Sequence, residues 1–257
     1  MKIISFNIGL KIDNSFQIAE YLKTQNADIV CLQEVMRPLD SNVYPIYRSF
    51  EIIRKKLEAD YPYYFFAPEW VADKFIKPEG VEDKDLGGMV EQGKLILSKY
   101  PIVHGYNYFY NKNYEFDCDR TNFYQGDDHG RALQIVEISI QGQIIQVANV
   151  HGIYSSDKMD TERSLKQSQF ILDKLQEKNL PSILLGDFNV LPSTGSIAMI
   201  NAYYDNINED FKITSTEPGG KIIDYIFLGK EFRIKNFTVE KINISDHYPL
   251  ILEIENL

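Results

Sequence analysis

The sequence predicts an α/β chain of the α+β kind, and three observations carry that prediction. Short apolar runs at residues 2–8, 28–34, 94–98, 131–140, 143–151, 182–189, 222–228, 232–240 and 248–254 read as strands. Stretches with apolar residues at helical spacing, about 14–24, 47–59 and 160–177, fall between them. No internal repeat, low-complexity tract or linker interrupts the 257 residues, so one domain spanning 1–257 is expected.

Taken in order, the first strand begins at Lys2 and delivers Asn7 at its end. Asn14 or Ser15 caps a helix whose apolar positions are Phe16, Ala19, Tyr21 and Leu22. The run from Asp28 is a buried strand ending on the carboxylate of Glu34. Phe50, Ile53 and Leu57 share one face of the second helix. An aromatic run from Tyr61 to Trp70 follows, then a stretch at 71–88 polar enough to read as a loop. The strand at 94–98 is stopped by Lys99-Tyr100-Pro101. Between His104 and Gly130 no period holds, so the stretch reads as a long loop crowded with eight aromatic residues, Tyr106, Tyr108, Phe109, Tyr110, Tyr114, Phe116, Phe123 and Tyr124. Gln141-Gly142 joins two alternating runs into a hairpin whose second strand ends at His151. In the run from Ser182, Gly186 permits a turn, and Asp187 and Asn189 follow two residues apart. In an extended segment that spacing puts both side chains on one face. A later strand carries Asp224, and Asp246-His247 precede the last one.

Composition sets limits on function. The hydrophobic fraction of 44% and charged fraction of 25% are those of an ordinary globular protein. A formal net charge of -10 gives no general attraction to polyanions. Cys31 and Cys118 lack metal-type spacing, which fits a reduced, cytoplasmic setting. No run is long and apolar enough to cross a bilayer, and the first residues read as strand rather than as a leader.

Asn7, Glu34, His151, Asp187, Asn189, Asp224, Asp246 and His247 all fall at strand ends or just past them. Singly, each has a structural explanation: an Asx-turn at Asp187, a cap at Asn7 or Asp246, a core histidine at His151. As a set they are harder to explain that way, because buried strands rarely end repeatedly in acids, amides and histidines. Oxygen-rich groups suit a hard cation such as magnesium or manganese. Two histidines beside carboxylates add acid/base groups or donors to a phosphoryl centre.

The ordered pieces SFN (5–7), LQEV (32–35), QGKLILSKYPI (92–102), NVHG (149–152), LLGDFNVLP (184–192), IDYIF (223–227) and SDHYPL (245–250) resemble the endonuclease/exonuclease/phosphatase superfamily, the metal-dependent phosphohydrolases related to pancreatic deoxyribonuclease. The resemblance implies a four-layer sandwich of two facing, mostly antiparallel sheets with helices outside. It implies that Asn7, Glu34 and Asp246 serve Mg2+ or Mn2+, that Asp187 activates water with Asn189, and that Asp224 orients His247 on the scissile phosphate. A histidine at His151 matches the deoxyribonuclease, sphingomyelinase, inositol-phosphatase and deadenylase branches, and Glu91 lies where the first of these has an acid orienting it. Arg163, on the helix after His151, is a candidate phosphate contact, and Tyr108 and Tyr114 are candidate substrate contacts in the aromatic loop. The function implied is cleavage of a phosphoester, as in a phosphodiesterase or nuclease, by a monomer. A phosphatase or phospholipase acting on a small phosphoester or lipid headgroup, and a binding protein on the same fold, are the alternatives.

Overall fold

Strand β1, Lys2–Asn7, and strand β2, Ile29–Pro38, pair in parallel through helix α1, Ser15–Gln25. In this computed structural model, residues 1–9, 14–119 and 129–255 are described. Helix α2, Ser49–Leu57, leads into two long strands, β3 at Tyr63–Phe75 and β4 at Lys84–Ser98. Then come β5, Ile102–Asn111, and the hairpin β6, Arg131–Ile140, with β7, Gln143–His151. Helix α3, Glu162–Gln176, connects β7 in parallel to β8, Ser182–Asp187. The chain closes through α4 (Gly195–Asn201), β9 (Asp205–Asn206), α5 (Ile207–Asp210), β10 (Asp224–Leu228), β11 (Ile234–Val239) and β12 (Leu250–Ile254).

Two six-stranded sheets result, ordered β11-β12-β1-β2-β4-β3 and β5-β6-β7-β8-β10-β9. Each holds one parallel pair, β1/β2 and β7/β8, and is otherwise antiparallel. Side-chain alternation sorts the apolar residues into three packed layers. Ile3, Ile29 and Ile96 of the first sheet meet Val136, Val147, Ile183 and Ile226 of the second between the sheets. Ile4, Val30 and Leu97 face outward onto Ile18, Leu22, Ile53 and Leu57 of α1 and α2. Leu133, Ala148, Leu184 and Phe227 face outward onto Ile171 and Leu175 of α3 and Ile197 and Ile200 of α4. The architecture is the expected α/β/β/α sandwich. Among the described residues no helix is long and apolar enough to cross a membrane.

The loop expected at 71–88 is largely strand. The ends of β3 and β4 pair out to Phe75↔Lys84, and Trp70, Ala72, Phe75, Leu86 and Val90 pack on Met36, Val43 and Tyr47 as a separate small core. Two register shifts, between Pro68 and Trp70 and between Ala72 and Lys74, break the period-2 pattern that would have marked the strand. The long loop expected from His104 is likewise strand β5 up to Asn111, an edge strand on β6 with two shifts of its own. Aromatic residues on both of its faces hide the alternation. Phe123 and Tyr124 of that stretch lie outside the described residues. The short elements between β8 and β10 carry no strong period and were not anticipated.

At Gly186, φ is 131°, and a Cβ there would lie 2.1 Å from the carbonyl oxygen of Val150. Any side chain would push β7 and β8 apart at the point where both deliver site residues. Gly186→Ala is therefore expected to lower stability by more than about 1 kcal/mol, read as a fall in Tm. An unchanged Tm would mean that the β7–β8 backbones are not held this close.

Candidate active site

The same alternation that builds the core between the sheets carries polar residues to one edge of it. Asn7 continues the inward row of Ile3 and Ser5, His151 that of Val147 and Asn149, and Asp187 that of Ile183 and Leu185; Asp224 precedes Ile226. The parallel pairs end together here, and antiparallel β10 begins here, with Asp224 opposite Asp187. Just below, Gln33 Nε2 donates to Asn149 Oδ1 at 2.7 Å, and Asn149 Nδ2 donates to Leu32 O at 3.1 Å and Gln134 Oε1 at 3.0 Å. This buried polar layer ties the two sheets under the site and makes its geometry common to both.

Glu34 breaks the parity rule. Leu32 faces the helices, so strict alternation would send Glu34 there too. A register shift between Leu32 and Val35, with Glu34 at φ 59°, turns its side chain to the site instead. Its Oε1 accepts from Asn7 Nδ2 at 3.1 Å and lies 3.6 Å from His151 Nε2.

Asp187 is the hub. Its Oδ2 accepts from Asn7 Nδ2 at 3.1 Å and Asn189 Nδ2 at 3.2 Å, and its Oδ1 from the Asn189 backbone N–H at 2.8 Å. His247 Nε2 stands 3.7 Å and His151 Nε2 4.0 Å from the same Oδ2. Strand β8 ends at Asp187, so Asn189 is not on an extended face; a turn with Asn189 at φ 58° folds its amide back onto the carboxylate. Burial works to raise the Asp187 pKa, but His247 and Lys158 outweigh it and hold the carboxyl below its ordinary value.

His247 Nδ1 lies 2.9 Å from Asp224 Oδ2. Burial disfavours the imidazolium, yet Asp224 and then Asp187 prevail, pushing His247 up to about 10. Burial pushes Asp224 up to about 6 against the pull of His247. At neutral pH the pair is an imidazolium against a carboxylate. Asp187, Asp224 and His247 offer donor atoms within 4.8 Å of one another; His247 Nδ1 is hydrogen-bonded to Asp224, its Nε2 stands 3.7 Å from Asp187, and the charged imidazole is itself the cation between the two carboxylates. Ser245 Oγ donates to Asn7 O at 2.8 Å and accepts from the His247 N–H at 3.2 Å, which anchors the β11–β12 connection to β1. Asp246 is at the rim, exposed and against Gly9, where a Cβ would meet its Oδ1 at 2.6 Å.

Glu91 was expected to orient His151, and the structure does not bring them together. Glu91 sits opposite Arg37 on β2, takes its guanidinium at 2.5 Å and accepts from Tyr114 Oη at 2.7 Å. Behind His151 stands Arg131, whose Nη1 is 3.0 Å from His151 Nδ1, with Glu69 Oε2 at 3.6 Å. A guanidinium only donates, so Nδ1 accepts and Nε2 carries the hydrogen toward the site. Burial would raise the Glu69 pKa, but Lys94 at 2.5 Å and Arg131 hold that carboxyl below its ordinary value. Sequence reasoning missed Glu69, Lys94, Arg131 and Lys158. A signal existed for Lys94, which shares parity with Ile96 and so had to face the space between the sheets.

Two further candidates sit apart. Tyr108 lies on the helix-facing side of β5, stacked on Tyr106 and beneath Lys174 of α3. Parity decides this, since Tyr106, Tyr108 and Tyr110 share one face. Arg163 is exposed on the first turn of α3. Tyr114 donates its Oη–H to Glu91.

The model of the Endonuclease/Exonuclease/phosphatase family matches residues 4–247. Comparison with curated proteins gives no match. Among solved structures, an endonuclease/exonuclease/phosphatase from Bacteroides vulgatus superposes with a TM-score of 0.70 at 18% identity, covering 99% of this chain and 98% of that one. The mannosyl-6-phosphatase of Bacteroides thetaiotaomicron gives 0.67 at 16% identity, with 100% of both chains covered. The human Nocturnin catalytic domain with bound sulfate anion gives 0.65 at 18%, covering 99% and 93%. At these identities the structures share the fold.

Proposed function

Because the chain belongs to the endonuclease/exonuclease/phosphatase family, we propose that it is a divalent-metal-dependent phosphoester hydrolase working by in-line attack of an activated water. The observation that carries this reading is the convergence of Asn7, Asn189, His151 and His247 on one ionised carboxylate, Asp187. The donor chemistry fits a hard cation: Glu34 keeps Oε2 without a hydrogen bond from the described residues, and Asn7 Oδ1 and the exposed Asp246 add oxygens. Glu34, Asn7 and Asp246 would hold magnesium or manganese, which when bound supplies positive charge to the phosphoryl oxygens.

The chain's own residues account for the rest. Asp187 accepts a hydrogen bond from the attacking water and takes its proton, and Asn189 fixes the orientation of that carboxylate. His247, held protonated by Asp224, donates Nε2–H to a non-bridging oxygen and stabilises the charge that grows there. His151 offers a second Nε2–H, locked from behind by Arg131. A phosphodiester is the first substrate reading, from the resemblance to nuclease-type sites. A phosphomonoester is the second, supported by the acidic chain and by the mannosyl-6-phosphatase that shares the fold. Purified protein with magnesium or manganese, assayed on a panel of phosphodiesters and phosphomonoesters, is expected to turn over at least one class. Silence across the panel would favour a binding protein on the same scaffold.

A further inference from the structure

One buried charge near the site makes no direct ion pair with any described residue. Lys158, in the connection from β7 to α3, is only 8% exposed. Its backbone is pinned in place: φ is 60°, its N–H donates to Ser155 O at 3.2 Å, and its carbonyl accepts from the Leu191 N–H at 2.9 Å. The ammonium donates to Asn189 Oδ1 at 2.5 Å and rests 3.9 Å over the Tyr154 ring. No carboxylate of the described residues lies within 4.0 Å of it; Asp187, Asp224 and Glu34 act on it from farther away, and Lys221 opposes it. A buried ammonium is unfavourable unless paired, and this one has a single strong acceptor for three N–H groups.

We propose that Lys158 is a phosphate-binding residue, pairing a non-bridging oxygen of the substrate's phosphoryl group, and that the substrate class is therefore a phosphomonoester. The proposal rests on the hydrolase reading above and, between its two substrate classes, selects the phosphomonoester over the phosphodiester that the resemblance alone puts first. Because an ammonium can only donate, Lys158 fixes the amide of Asn189 with oxygen outward and Nδ2 toward Asp187 and the Gly152 carbonyl. The cation is thus held beside the water-activating group, on the side of Asp187 occupied by Asn189. His247 already supplies one positive charge to the phosphoryl centre. With the bound divalent cation also counted, Lys158 adds charge beyond what a singly charged diester calls for, and it matches the dianion of a monoester, which presents one more charged oxygen.

Orthophosphate, the dianion that monoester hydrolysis releases, is the direct probe. Calorimetric titration with magnesium present should show Lys158→Met weakening orthophosphate binding by about 10-fold or more, with Lys158→Arg within a few-fold of the parent. In parallel, Lys158→Met should lower kcat/KM for 4-nitrophenyl phosphate by about 10-fold more than for bis(4-nitrophenyl) phosphate. Equal orthophosphate affinity in a folded Lys158→Met overturns the site, and a parallel loss on both esters overturns the monoester class. If Lys158→Met does not fold, the 15N resonance of the parent's Lys158 ammonium decides: a shift on adding orthophosphate supports the contact and constancy overturns it. A parent that binds orthophosphate through Lys158 yet hydrolyses neither ester would leave this site standing and remove the hydrolase reading.

Discussion

Asp187→Asn is expected to reduce kcat/KM by about 10²–10⁴-fold. The substitution keeps the side chain's shape but replaces an acceptor with a group that is half donor, facing Asn7 Nδ2, Asn189 Nδ2 and His247 Nε2. The water would lose both its orienting acceptor and the destination of its proton. His247→Gln should cost a similar factor, because Asp224 would no longer hold a cation over the phosphoryl oxygen. The pH profile separates the two variants. With His247 raised to about 10, parent activity should persist through neutral pH and fall as pH rises past that value, when the imidazolium loses its proton. In His247→Gln that alkaline limb should vanish, whereas in Asp187→Asn it should persist in whatever activity survives but move to lower pH, because Asp187 helps to hold the proton on His247. If both variants lost fold and activity together, with turnover per folded molecule unchanged, the two side chains would be structural and the mechanism wrong.

Removal of divalent cations is expected to abolish hydrolysis, and magnesium or manganese to restore it. The reason lies in Glu34. A strand residue is turned out of its parity into a left-handed conformation, an arrangement that costs on the order of 1–3 kcal/mol, to present a carboxylate oxygen that no described residue bonds. Glu34→Gln should therefore raise the half-saturating metal concentration by at least about 10-fold, while its effect on Tm should be small or stabilising because the strained position carries less charge. Full turnover in excess chelator would remove the cation from the mechanism. Unchanged metal dependence in Glu34→Gln would move the ligand role to the other oxygens of the site.

Much of the fold follows from local pattern. The hairpin at 131–140 and 143–151 is read from the sequence residue for residue, because a clean period of 2 flanks Gln141-Gly142. Helices α1, α2 and α3, the end of β1 and the start of β8 are set by the same kind of short-range signal. The pattern fails at β3, β4 and β5, where register shifts add a residue and reverse parity partway along the strand. A shift of that kind is stabilised by the partner strand, which a local window does not contain.

For the site, the sequence by itself determined that Asn7, His151, Asp187 and Asp224 stand at strand ends in phase with the inward-facing apolar rows, because parity along a strand is a local property. It also placed the chain in its family through the order of its motifs. Only the tertiary structure decided what stands behind each of those groups. Arg131, from β6, fixes the hydrogen of His151, and Glu69 with Lys94, from β3 and β4, balances it, whereas Glu91 is drawn away to Arg37. Lys158 reaches Asn189 from 31 residues away. These pairings join elements of different strands and sheets, so they depend on register and on the facing of the sheets. No spacing along the chain encodes either, because a buried cation finds its partner through space, wherever the fold has put an acceptor and excluded water.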